Sequence, residues 1–301
     1  MRIDVEKFLA QLKGRVLYNE PLSKHTWFGT GGPADVFFIP RDTQDLSFFL
    51  KNRPHDMPYY ILGGGSNLLV RDGGIRGFVI KLETPSFKKL EYQDGFLKCG
   101  AGYLNVLLKK FLIEHELGGL EFLCSIPGTI GGSIKSNAGC FSSCVSDVLI
   151  SAELMDEHGC IKTFKNKDFE FSYRHCKWPK NHIILSVLFQ TRASNAQTIQ
   201  KLIDEQKAYR EQRQPIHEKT AGSTFKNPQG LNAWQLIKEA GCDNLQIGGA
   251  KVSEKHANFL INTGTATSHD IETLGLEIVE RVKDKTGITL EFEIQIVGQK
   301  A

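Results

Sequence analysis

Hydrophobic residues recur at helical intervals in the stretch that follows Asp42. Leu46, Phe49 and Leu50 fall on one side of this stretch, and Pro54 follows it. The pattern predicts an amphipathic helix that the Asp42 carboxylate caps and the proline terminates. Further helices are predicted over residues 105–117, closed by Gly118 and Gly119; over Ala196–Arg213; over 233–240, between a capping Asn232 and Gly241; and between a capping Ser268 and a terminating Gly287.

Short apolar runs between these helices predict strands. Ile183–Gln190 is so apolar that both of its faces are expected to be buried. Along residues 290–296 hydrophobic and polar side chains alternate, which predicts a final strand with one inward face. Other strands are predicted at Tyr59–Leu62, at Leu68–Val70 as a strand or short turn, between 78 and 90, and over 96–101, 152–155, 161–164 and 259–262. The mixture predicts an α+β fold.

The segment Ala196–Arg213 differs from its surroundings. Ile199, Leu202 and Ile203 lie among many charges, which predicts a surface helix that ends before Pro215. A chain of 301 residues is long for a single hydrophobic core. We therefore expect a domain boundary at this helix.

Composition narrows the class of protein. The formal net charge is +3, with 37 basic and 34 acidic residues, which is too balanced for nonspecific nucleic-acid binding. The seven cysteines are an odd number without a CxxC pair, which is typical of reduced thiols in a cytoplasm. Residues 1–12 lack the unbroken apolar stretch of a signal peptide, and no segment is long and apolar enough for a membrane helix. We expect a cytoplasmic protein that binds neither nucleic acid nor membrane.

Two glycine-rich segments are candidates for phosphate binding. Residues 63–67 have the sequence GGGSN, and residues 126–133 have the sequence IPGTIGGS. Glycines let backbone N–H groups approach a pyrophosphate because no Cβ stands in the way. Leu68 occupies the third glycine position of a GxGxxG motif, and the second segment lacks the ending of a P-loop. Each segment alone could be only a tight turn, but two in one chain favour a shared ligand.

Three polar positions are candidates for chemistry. Ser223 lies in the polar loop 221–228 without the Gly-x-Ser-x-Gly context of a nucleophile, so a role as a hydroxyl donor is favoured over one as a nucleophile. Arg174, beside Tyr173, could bind a carboxylate with both arms of its guanidinium. Glu293 lies on the polar face of the final strand. The alternatives are that Ser223 only forms a local turn, that Arg174 forms a surface ion pair, and that Glu293 is a solvated side chain. None of the nine histidines has metal-ligand spacing, so no metal is expected.

Together and in order, these segments resemble the UDP-N-acetylenolpyruvoylglucosamine reductase family. The resemblance extends over nearly the whole chain. It is carried by residues 26–34, 62–69, 126–132, 137–139, 173–174, 222–228, 247–250, 252–257 and 290–293. The short span between Arg174 and Ser223 resembles the compact form of the family, which lacks an insertion over the substrate.

The resemblance implies a fold and its domains. It implies two FAD-binding subdomains like those of p-cresol methylhydroxylase, over residues 1–75 and 76–195. A C-terminal α+β substrate-binding domain over residues 196–301 follows. It also implies an FAD- and NADPH-dependent reduction of UDP-N-acetylglucosamine enolpyruvate to UDP-N-acetylmuramate, in peptidoglycan precursor synthesis. The protein is expected to be a monomer.

The resemblance also implies site residues. The catalytic positions are Arg174, Ser223 and Glu293, which are expected to share one pocket; the substrate-binding positions are Tyr173, Lys226 and Asn227; and the FAD-binding positions are Gly63, Gly64, Gly65, Ser66, Asn67, Pro127, Gly128, Thr129, Gly132 and Ser133. Arg174 would stabilise negative charge on the substrate carboxylate, Ser223 would donate a proton, and Glu293 would assist. Ping-pong kinetics are expected.

The chain departs from the commoner family pattern at two places. Cys140 and Phe141 stand where Ala-Tyr-Gly is frequent, and Thr224 replaces a frequent Phe. Both departures are expected to alter the lining of the cleft. Two other functions remain open: a flavin oxidase of the same broad fold, and a nonenzymatic protein that binds a nucleotide sugar. An oxidase of this kind often attaches its flavin through a His or Cys, and residues 63–67 contain neither.

Overall fold

A computed structural model describes residues 5–54 and 56–301. Residues 1–4, the start of the N-terminal segment that was compared with a signal peptide, lie outside the described residues. The helices are α1 (Val5–Leu9), α2 (Thr43–Asn52), α3 (Leu108–Glu114), α4 (Glu121–Cys124), α5 (Ile130–Lys135), α6 (Val145–Val148), α7 (Ala196–Arg213), α8 (Ala233–Glu239) and α9 (Ser268–Thr286). Short 3₁₀ turns cover Leu22–His25, Pro85–Phe87, Asn105–Leu107 and Asn166–Asp168.

The strands are mostly short. They are β1 (Arg15–Pro21), β2 (Pro33–Ile39), β3 (Tyr59–Leu62), β4 (Leu68–Val70), β5 (Ile75–Lys81), β6 (Leu90–Gln93), β7 (Phe96–Gly100), β8 (Leu117–Gly118), β9 (Gly139–Cys140), β10 (Ser143–Cys144), β11 (Leu149–Met155), β12 (Ile161–Lys165), β13 (Glu170–Ser172), β14 (His175–Lys177), β15 (Ile183–Gln190), β16 (Arg192–Ala193), β17 (Gln246–Ile247), β18 (Ala250–Val252), β19 (Leu260–Asn262) and β20 (Gln295–Val297).

The chain forms two compact units, each made of separated segments. Unit 1 comprises the N-terminal segment up to Tyr18, Val36–Gly64 and Gly77–Lys207. Unit 2 comprises Asn19–Asp35, Gly65–Arg76 and Ala208–Ala301. The predicted division into consecutive domains at residues 75 and 195 stays a prediction.

Unit 1 is built around a five-stranded sheet. Its strand order is β12-β11-β15-β7-β6, with β15 antiparallel to both of its neighbours. Ile183, Ile184 and Leu185 are consecutive and all buried, so this end of β15 is covered on both faces, as predicted. In the same unit β3 lies parallel to β5, with Leu62 beside Lys81, and leads into the first glycine segment.

Helix α2 forms as its sequence pattern predicts. The Asp42 side chain accepts a hydrogen bond from the Asp45 N–H, and the helix ends at Asn52, just before Pro54. The ring of Phe49 packs against Phe38 at 5.1 Å and Phe78 at 4.9 Å between centroids, inside the core of unit 1.

The helix predicted over residues 105–117 is shorter in the structure. After a 3₁₀ turn, α3 ends at Glu114, and Glu116 has a left-handed φ of 53°. Leu117 then pairs with Ala193 in a strand. Leu117, which local spacing assigned to the helix, therefore pairs with a distant strand instead. Similarly, the run between 78 and 90 is interrupted by the 3₁₀ turn Pro85–Phe87.

Unit 2 packs α8 and α9 with the antiparallel sheet β17-β18-β19. Its core includes Ile271, Leu274, Ile278 and Val282 of α9, the residues predicted for the buried face. Gly287 ends α9 with a left-handed φ of 75°, as predicted.

The predicted cap of α9 is wrong, and Asn232 stands at the N-cap position of α8 without the expected side-chain bond. The cap of α9 is Thr267, which forms a capping box with Asp270, whereas the Ser268 hydroxyl donates to the Val70 carbonyl at 2.6 Å. The side chain of Asn232 makes no capping bond to α8. Instead Asn227 Oδ1 accepts a hydrogen bond from the Ala233 N–H at 3.0 Å. Both caps depend on where the preceding loop runs, which local spacing does not reveal.

The final strand is also shorter than predicted. Only β20 forms a ladder, parallel to β4, with Gln295 beside Leu68. Leu290 and Ile294 are buried as expected, while Phe292 and Ile296 are half-buried. Before β20 this segment instead meets the polar loop of residues 223–226 through an isolated bridge between Phe225 and Phe292.

Within unit 2 an ion pair joins the segment after β4 to α9. Arg71 donates from Nε and Nη2 to the two carboxylate oxygens of Glu272, both at 2.8 Å. This hydrogen-bonded guanidinium holds the pKa of the Glu272 carboxyl below its ordinary value of 4.5. The pair therefore stabilises the fold above that pH, and the contribution is lost as pH falls through the pKa of the folded state.

We expect Glu272→Gln to lower the free energy of unfolding by about 1 kcal/mol at pH 7, because the charge-assisted pair is lost. The difference from the parent protein should shrink as the pH is lowered below 4.5. Urea denaturation at pH 7, 5 and 3.5 measures both quantities. Glu277→Gln removes a more exposed pair with Arg281 on the same helix and is the control, with an expected change within about 0.5 kcal/mol. A difference for Glu272→Gln that does not depend on pH would contradict the assigned ionisation.

Candidate functional site

The first glycine segment begins where β3 ends. An ideal Cβ built on Gly64 would lie 2.7 Å from the Gly128 Cα, and one on Gly63 would lie 3.0 Å from Thr129 Oγ1. A real Cβ essentially never makes the first of these contacts, so Gly64 has to be glycine for the two predicted loops to pack together. Unit 1 thus places Gly63 and Gly64 directly against residues 128–129.

The second glycine segment leads into α5. Thr129 caps that helix, because its hydroxyl accepts a hydrogen bond from the Gly132 N–H at 3.3 Å. Gly128 has a φ of 120°, a conformation that residues with a side chain rarely adopt. The loop shape predicted from its glycines is therefore present. The side chain of Ser133 is buried, and both its hydroxyl and its N–H already hydrogen-bond within the protein.

Asn105 holds this second segment in three places. Its N–H donates to the Gly128 carbonyl at 3.1 Å, and its Nδ2 donates to the Ile126 carbonyl at 3.1 Å and to the Ser133 hydroxyl at 2.8 Å. Asn105 is fully buried. From sequence, Asn105 was expected only to begin a helix, because a hydrogen-bonded contact between segments more than twenty residues apart leaves no local pattern.

A cavity of about 610 Å³ opens in unit 1 beside these loops. This volume lies within the range of about 300–1,000 Å³ that is usual for small-molecule sites. Gly63, Gly64, Thr129, Gly131 and Gly132 form one part of its wall. Because four of these residues have no side chain, a ligand can approach the backbone there.

The rest of the cavity wall is aromatic and cationic. Tyr59, Tyr60 and Trp178 contribute rings. Four cations, Arg53, Lys81, Lys88 and Lys135, face a single carboxylate, Glu83, which pairs with Lys81 at 3.2 Å. The wall therefore has an excess of positive charge and suits an anionic ligand such as a dinucleotide, so it fits FAD. Tyr60, Lys135 and Trp178 belong to no recognisable motif, so the sequence did not indicate them as site residues.

Arg174 and Tyr173 lie in unit 1, in the turn between β13 and β14. The Arg174 Nη1 donates to the Gly139 carbonyl at 2.9 Å, and the guanidinium lies 5.3 Å from the centroid of the Tyr173 ring. Asn137 Nδ2 supports the same turn by donating to the Ser172 carbonyl at 3.0 Å. Arg174 has a left-handed φ of 56°, which is uncommon for a residue with a side chain and marks a specially held position.

Ser223 and Glu293 lie in unit 2 and come close together there. The N–H of Glu293 donates to the carbonyl of Thr224, the residue after Ser223, at 2.8 Å. On its other side the loop is fixed by Asn258, which exchanges side-chain hydrogen bonds with the Phe225 backbone at 2.9 and 2.8 Å. The Ser223 hydroxyl is half-buried and makes no hydrogen bond to any of the described residues. The buried Asn258 was missed from sequence for the same reason as Asn105.

Asn67 belongs to the same part of unit 2. Its Nδ2 donates to the Glu293 carbonyl at 3.1 Å, and its own carbonyl accepts from the Gln295 N–H at 3.0 Å. Gly65 packs closely as well, since a Cβ there would lie 1.9 Å from the His25 carbonyl oxygen. The last three residues of the GGGSN motif are thus held by unit 2, and the first two belong to unit 1.

The predicted substrate-binding pair Lys226 and Asn227 already has partners in the protein. Lys226 Nζ forms an ion pair with Glu291 at 3.1 Å, and Asn227 caps α8. The Glu291 side chain is 75% exposed, so this pair is weak and a phosphate group could replace it. Glu291 and Glu293, which sequence pattern placed on one face, therefore have different surroundings.

Of the two departures from the family pattern, Thr224 does not line a cleft. It is fully buried, and its hydroxyl accepts from the Leu260 N–H at 3.3 Å. The expectation that it alters the cleft is therefore wrong, because its side chain points into the core of unit 2. The Cys140 thiol donates to the Phe122 carbonyl at 3.4 Å, while the Phe141 ring is 39% exposed.

The placement of the three predicted catalytic residues in one pocket stays a prediction. Among residues 5–54 and 56–301 no group of three or more His, Cys, Asp and Glu side chains could hold a metal ion. In the same described ranges no helix is both long enough and apolar enough to span a bilayer.

We expect Gly64→Ala to lower the stability of the protein by about 1–3 kcal/mol, because the new Cβ would overlap Gly128. Gly132→Ala is its partner variant: the nearest atom to that Cβ is Thr129 Oγ1 at 3.5 Å, and alanine is favoured in a helix. Gly132→Ala should keep or slightly raise stability and weaken binding of the flavin that the resemblance implies, because Gly132 lines the cavity. Urea denaturation and flavin titration separate the two effects. Equal stability of the two variants would show that the contact between the loops is unimportant.

Two parts of the chain match sequence models of known protein domains. A sequence model of the UDP-N-acetylenolpyruvoylglucosamine reductase C-terminal domain matches residues 214–297, and a model of an FAD binding domain matches residues 34–165. A UDP-N-acetylenolpyruvoylglucosamine reductase from Bradyrhizobium sp. (strain ORS 278) is 44% identical over 99% of this chain and 97% of its own length. One from Gluconobacter oxydans (strain 621H) is 42% identical over 96% and 94%.

A solved structure agrees. The crystal structure of UDP-N-acetylenolpyruvylglucosamine reductase from Thermus caldophilus superposes with a TM-score of 0.80 at 31% identity, and the match covers 94% of this chain and 98% of that one. These matches confirm the predicted fold class, p-cresol methylhydroxylase-like FAD-binding subdomains followed by a C-terminal α+β domain. This chain belongs to the UDP-N-acetylenolpyruvoylglucosamine reductase family.

Proposed function

We propose that this protein catalyses the NADPH-dependent reduction of UDP-N-acetylglucosamine enolpyruvate to UDP-N-acetylmuramate through FAD, a step in making peptidoglycan precursors. Its relatives bear the name of this enzyme and match almost the full length of the chain. One structural observation carries the proposal beyond the name. The loop of Ser223 is hydrogen-bonded to the segment of Glu293, which brings the backbones of these two segments together in unit 2.

The cavity of unit 1 is the proposed place for FAD. Gly63, Gly64, Gly128, Thr129 and Gly132 would hold its pyrophosphate through backbone groups that no Cβ covers. Pro127, Ser133, Gly65, Ser66 and Asn67 complete the proposed set of FAD-binding residues. When bound, FAD carries the hydride that NADPH supplies to the substrate.

Ser223 is the proposed proton donor. Hydride addition to the terminal carbon of the enolpyruvyl group leaves negative charge on the neighbouring carbon, which has to be protonated. A neutral hydroxyl with no partner among the described residues can turn toward a ligand and give up its proton. The bonds from Asn258 to the adjacent residue restrict the loop, so the hydroxyl keeps a defined position.

Arg174 and Glu293 are proposed to control the charge that develops on the substrate. A guanidinium stays protonated at every physiological pH and can bind a carboxylate with two hydrogen bonds. The contact with Gly139 and the support of Asn137 restrict Arg174 before substrate arrives, which favours electrostatic stabilisation. Glu293, held by backbone bonds to Thr224 and Asn67, would hydrogen-bond the aci-carboxylate that develops on the substrate.

Tyr173, Lys226 and Asn227 are the proposed contacts of the sugar nucleotide. Lys226 would exchange its exposed partner Glu291 for a phosphate of the UDP group, a change that costs little because surface ion pairs are weak. Tyr173 is 55% exposed and so is available to a ligand. We further propose ping-pong kinetics, a monomer and a cytoplasmic location. The location is supported by seven free cysteines, as is usual for a reducing compartment. Three of them are buried, and burial raises the pKa of the Cys124 thiol to about 12, so that this thiol stays protonated.

We expect Ser223→Ala to leave reduction of the flavin by NADPH intact and to slow its reoxidation by the enolpyruvyl substrate by about 10²-fold or more. The physical reason is that only the second half-reaction needs a proton on carbon. Stopped-flow absorbance of the flavin follows each half-reaction separately, so the first serves as the control for the second. Equal losses in both would exclude the proton-donor role.

Glu293→Gln and Glu291→Gln form a matched pair in one segment. Glu293→Gln should lower the rate constant of reoxidation at saturating substrate by on the order of tenfold or more, because the half-buried carboxylate is lost. Glu291→Gln should leave that rate constant within about twofold, because Lys226 only loses an exposed partner. Any effect of this variant should be confined to the KM of the substrate. The assignment fails if Glu291→Gln is the more damaging of the two.

A further inference from the structure

Asn258 is the residue through which one turn of unit 2 holds the loop of Ser223. Its carbonyl accepts a hydrogen bond from the Thr224 N–H at 2.8 Å, and its side chain bonds the N–H and the carbonyl of Phe225 at 2.9 and 2.8 Å. Asn258 is 3% exposed, so these bonds are shielded from water. The position of the Ser223 hydroxyl therefore depends on the conformation of Asn258.

The conformation of Asn258 is set in turn by His256. The Asn258 N–H donates to Nδ1 of the His256 ring at 3.2 Å, and the His256 carbonyl accepts from the Phe259 N–H at 2.9 Å. The ring thus closes a tight turn, as an Asn or Asp side chain does when it accepts the N–H two positions later. An acceptor at Nδ1 requires the neutral imidazole with its proton on Nε2.

Aromatic contacts hold the His256 ring in place. Its centroid lies 4.8 Å from that of Phe259 and 6.4 Å from that of Trp234, which belongs to α8. Burial lowers the pKa of His256 below its ordinary value of 6.5, and the ammonium group of Lys238 lowers it further. The ring is therefore neutral at neutral pH, and its Nδ1 stays an acceptor.

The charged groups around the ring favour the same state. From α8 the cation of Lys238 acts on the ring, and residues 223–225 contribute no titratable side chain. On the segment of the ring itself, Glu254 pairs with Lys251 at 3.1 Å, and Lys255 donates to a backbone carbonyl. In the described part of the chain, no carboxylate stabilises a charged form of this ring.

We infer that His256 is a positioning residue for the Ser223 hydroxyl and acts through Asn258. The imidazole orients Asn258, Asn258 holds the backbone of residues 224 and 225, and that backbone places the hydroxyl. The inference rests on the proposed role of Ser223 as the proton donor.

Protonation of His256 would undo this arrangement. It puts an N–H at Nδ1, where it faces the N–H of Asn258, and two donors cannot share a hydrogen bond. The bond is present above the pKa of His256 in the folded protein and is lost as the pH falls through that pKa, which lies below 6.5. Positioning of the hydroxyl should be lost over the same range.

Two variants separate the acceptor from the ring. His256→Asn keeps an acceptor that can reach the N–H two positions later, whereas His256→Leu keeps the bulk without an acceptor. At pH 8 and saturating substrate, we expect His256→Leu to slow reoxidation of the flavin by about tenfold or more, because a buried N–H loses its partner. His256→Asn should stay within about threefold of the parent. Stopped-flow absorbance should show unchanged reduction of the flavin by NADPH in both.

The pH profile tests the ionisation. As the pH is lowered below 6.5, the rate constant of reoxidation should fall more steeply in the parent than in His256→Asn, because asparagine does not titrate. Lys238→Met removes a nearby positive charge and should move the fall seen in the parent toward higher pH, with the rate constant at pH 8 unchanged. Parallel profiles in all three proteins would overturn the inference, and this comparison decides the question even if His256→Leu does not fold.

A double variant distinguishes positioning from general damage. The hydroxyl is absent from Ser223→Ala, so adding His256→Leu should slow reoxidation by less than about threefold further. A further loss as large as in the parent background would overturn the inference. A higher KM of the substrate at an unchanged limiting rate would also overturn it, since His256 would then be a ligand contact.

The inference and the proposed function fail in different ways. If Ser223→Ala reoxidises as fast as the parent, the proton-donor role itself is wrong. If Ser223→Ala is slow and His256→Leu is as fast as the parent, only the role of His256 is overturned.

Discussion

The buried side chain of Asn105 is the interaction on which the ligand cavity of unit 1 depends. Glycine-rich loops are flexible in isolation, and flexibility works against the fixed array of N–H groups that a pyrophosphate needs. By binding the segment 126–133 at Ile126, Gly128 and Ser133, Asn105 replaces that flexibility with a single shape. The close approach of Gly64 to Gly128 then sets one loop against the other. The glycines allow the two loops to pack closely, and the hydrogen bonds of Asn105 hold the second loop in one conformation.

In unit 2 a buried asparagine likewise fixes the shape of a loop. The buried Asn258 side chain hydrogen-bonds both the N–H and the carbonyl of Phe225. On the other side of the loop, residues 291–293 accept one backbone hydrogen bond from the loop and donate another to it. A loop that is held from two sides keeps the hydroxyl of Ser223 in place without using that hydroxyl as a structural group. The Ser223 hydroxyl therefore remains available for its proposed role as a proton donor.

Charge is distributed differently in the two units. The cavity of unit 1 collects cations and leaves Lys135 partly desolvated between aromatic rings, a state that an anionic ligand would relieve. In unit 2 the strong pair of Arg71 and Glu272 is fully hydrogen-bonded and serves the fold, whereas Lys226 has only an exposed and replaceable partner. The chemistry of each charged group thus follows from its burial and its partners rather than from its type.

The sequence by itself determined the elements whose signals are local. The capped helix after Asp42, the apolar strand Ile183–Gln190, the buried face of α9 and its end at Gly287 all follow from periodicity and from glycine or proline at fixed offsets. The family and the fold also followed, since ordered motifs along the chain are specific even when each alone is weak. Tertiary structure alone decided the early end of α3, the capping of α8 by Asn227 and the inward direction of Thr224. It also decided the clamps of Asn105 and Asn258 and the cluster around Lys135. These features join residues far apart in the chain, and no local spacing encodes which distant backbone group or ring a side chain will meet.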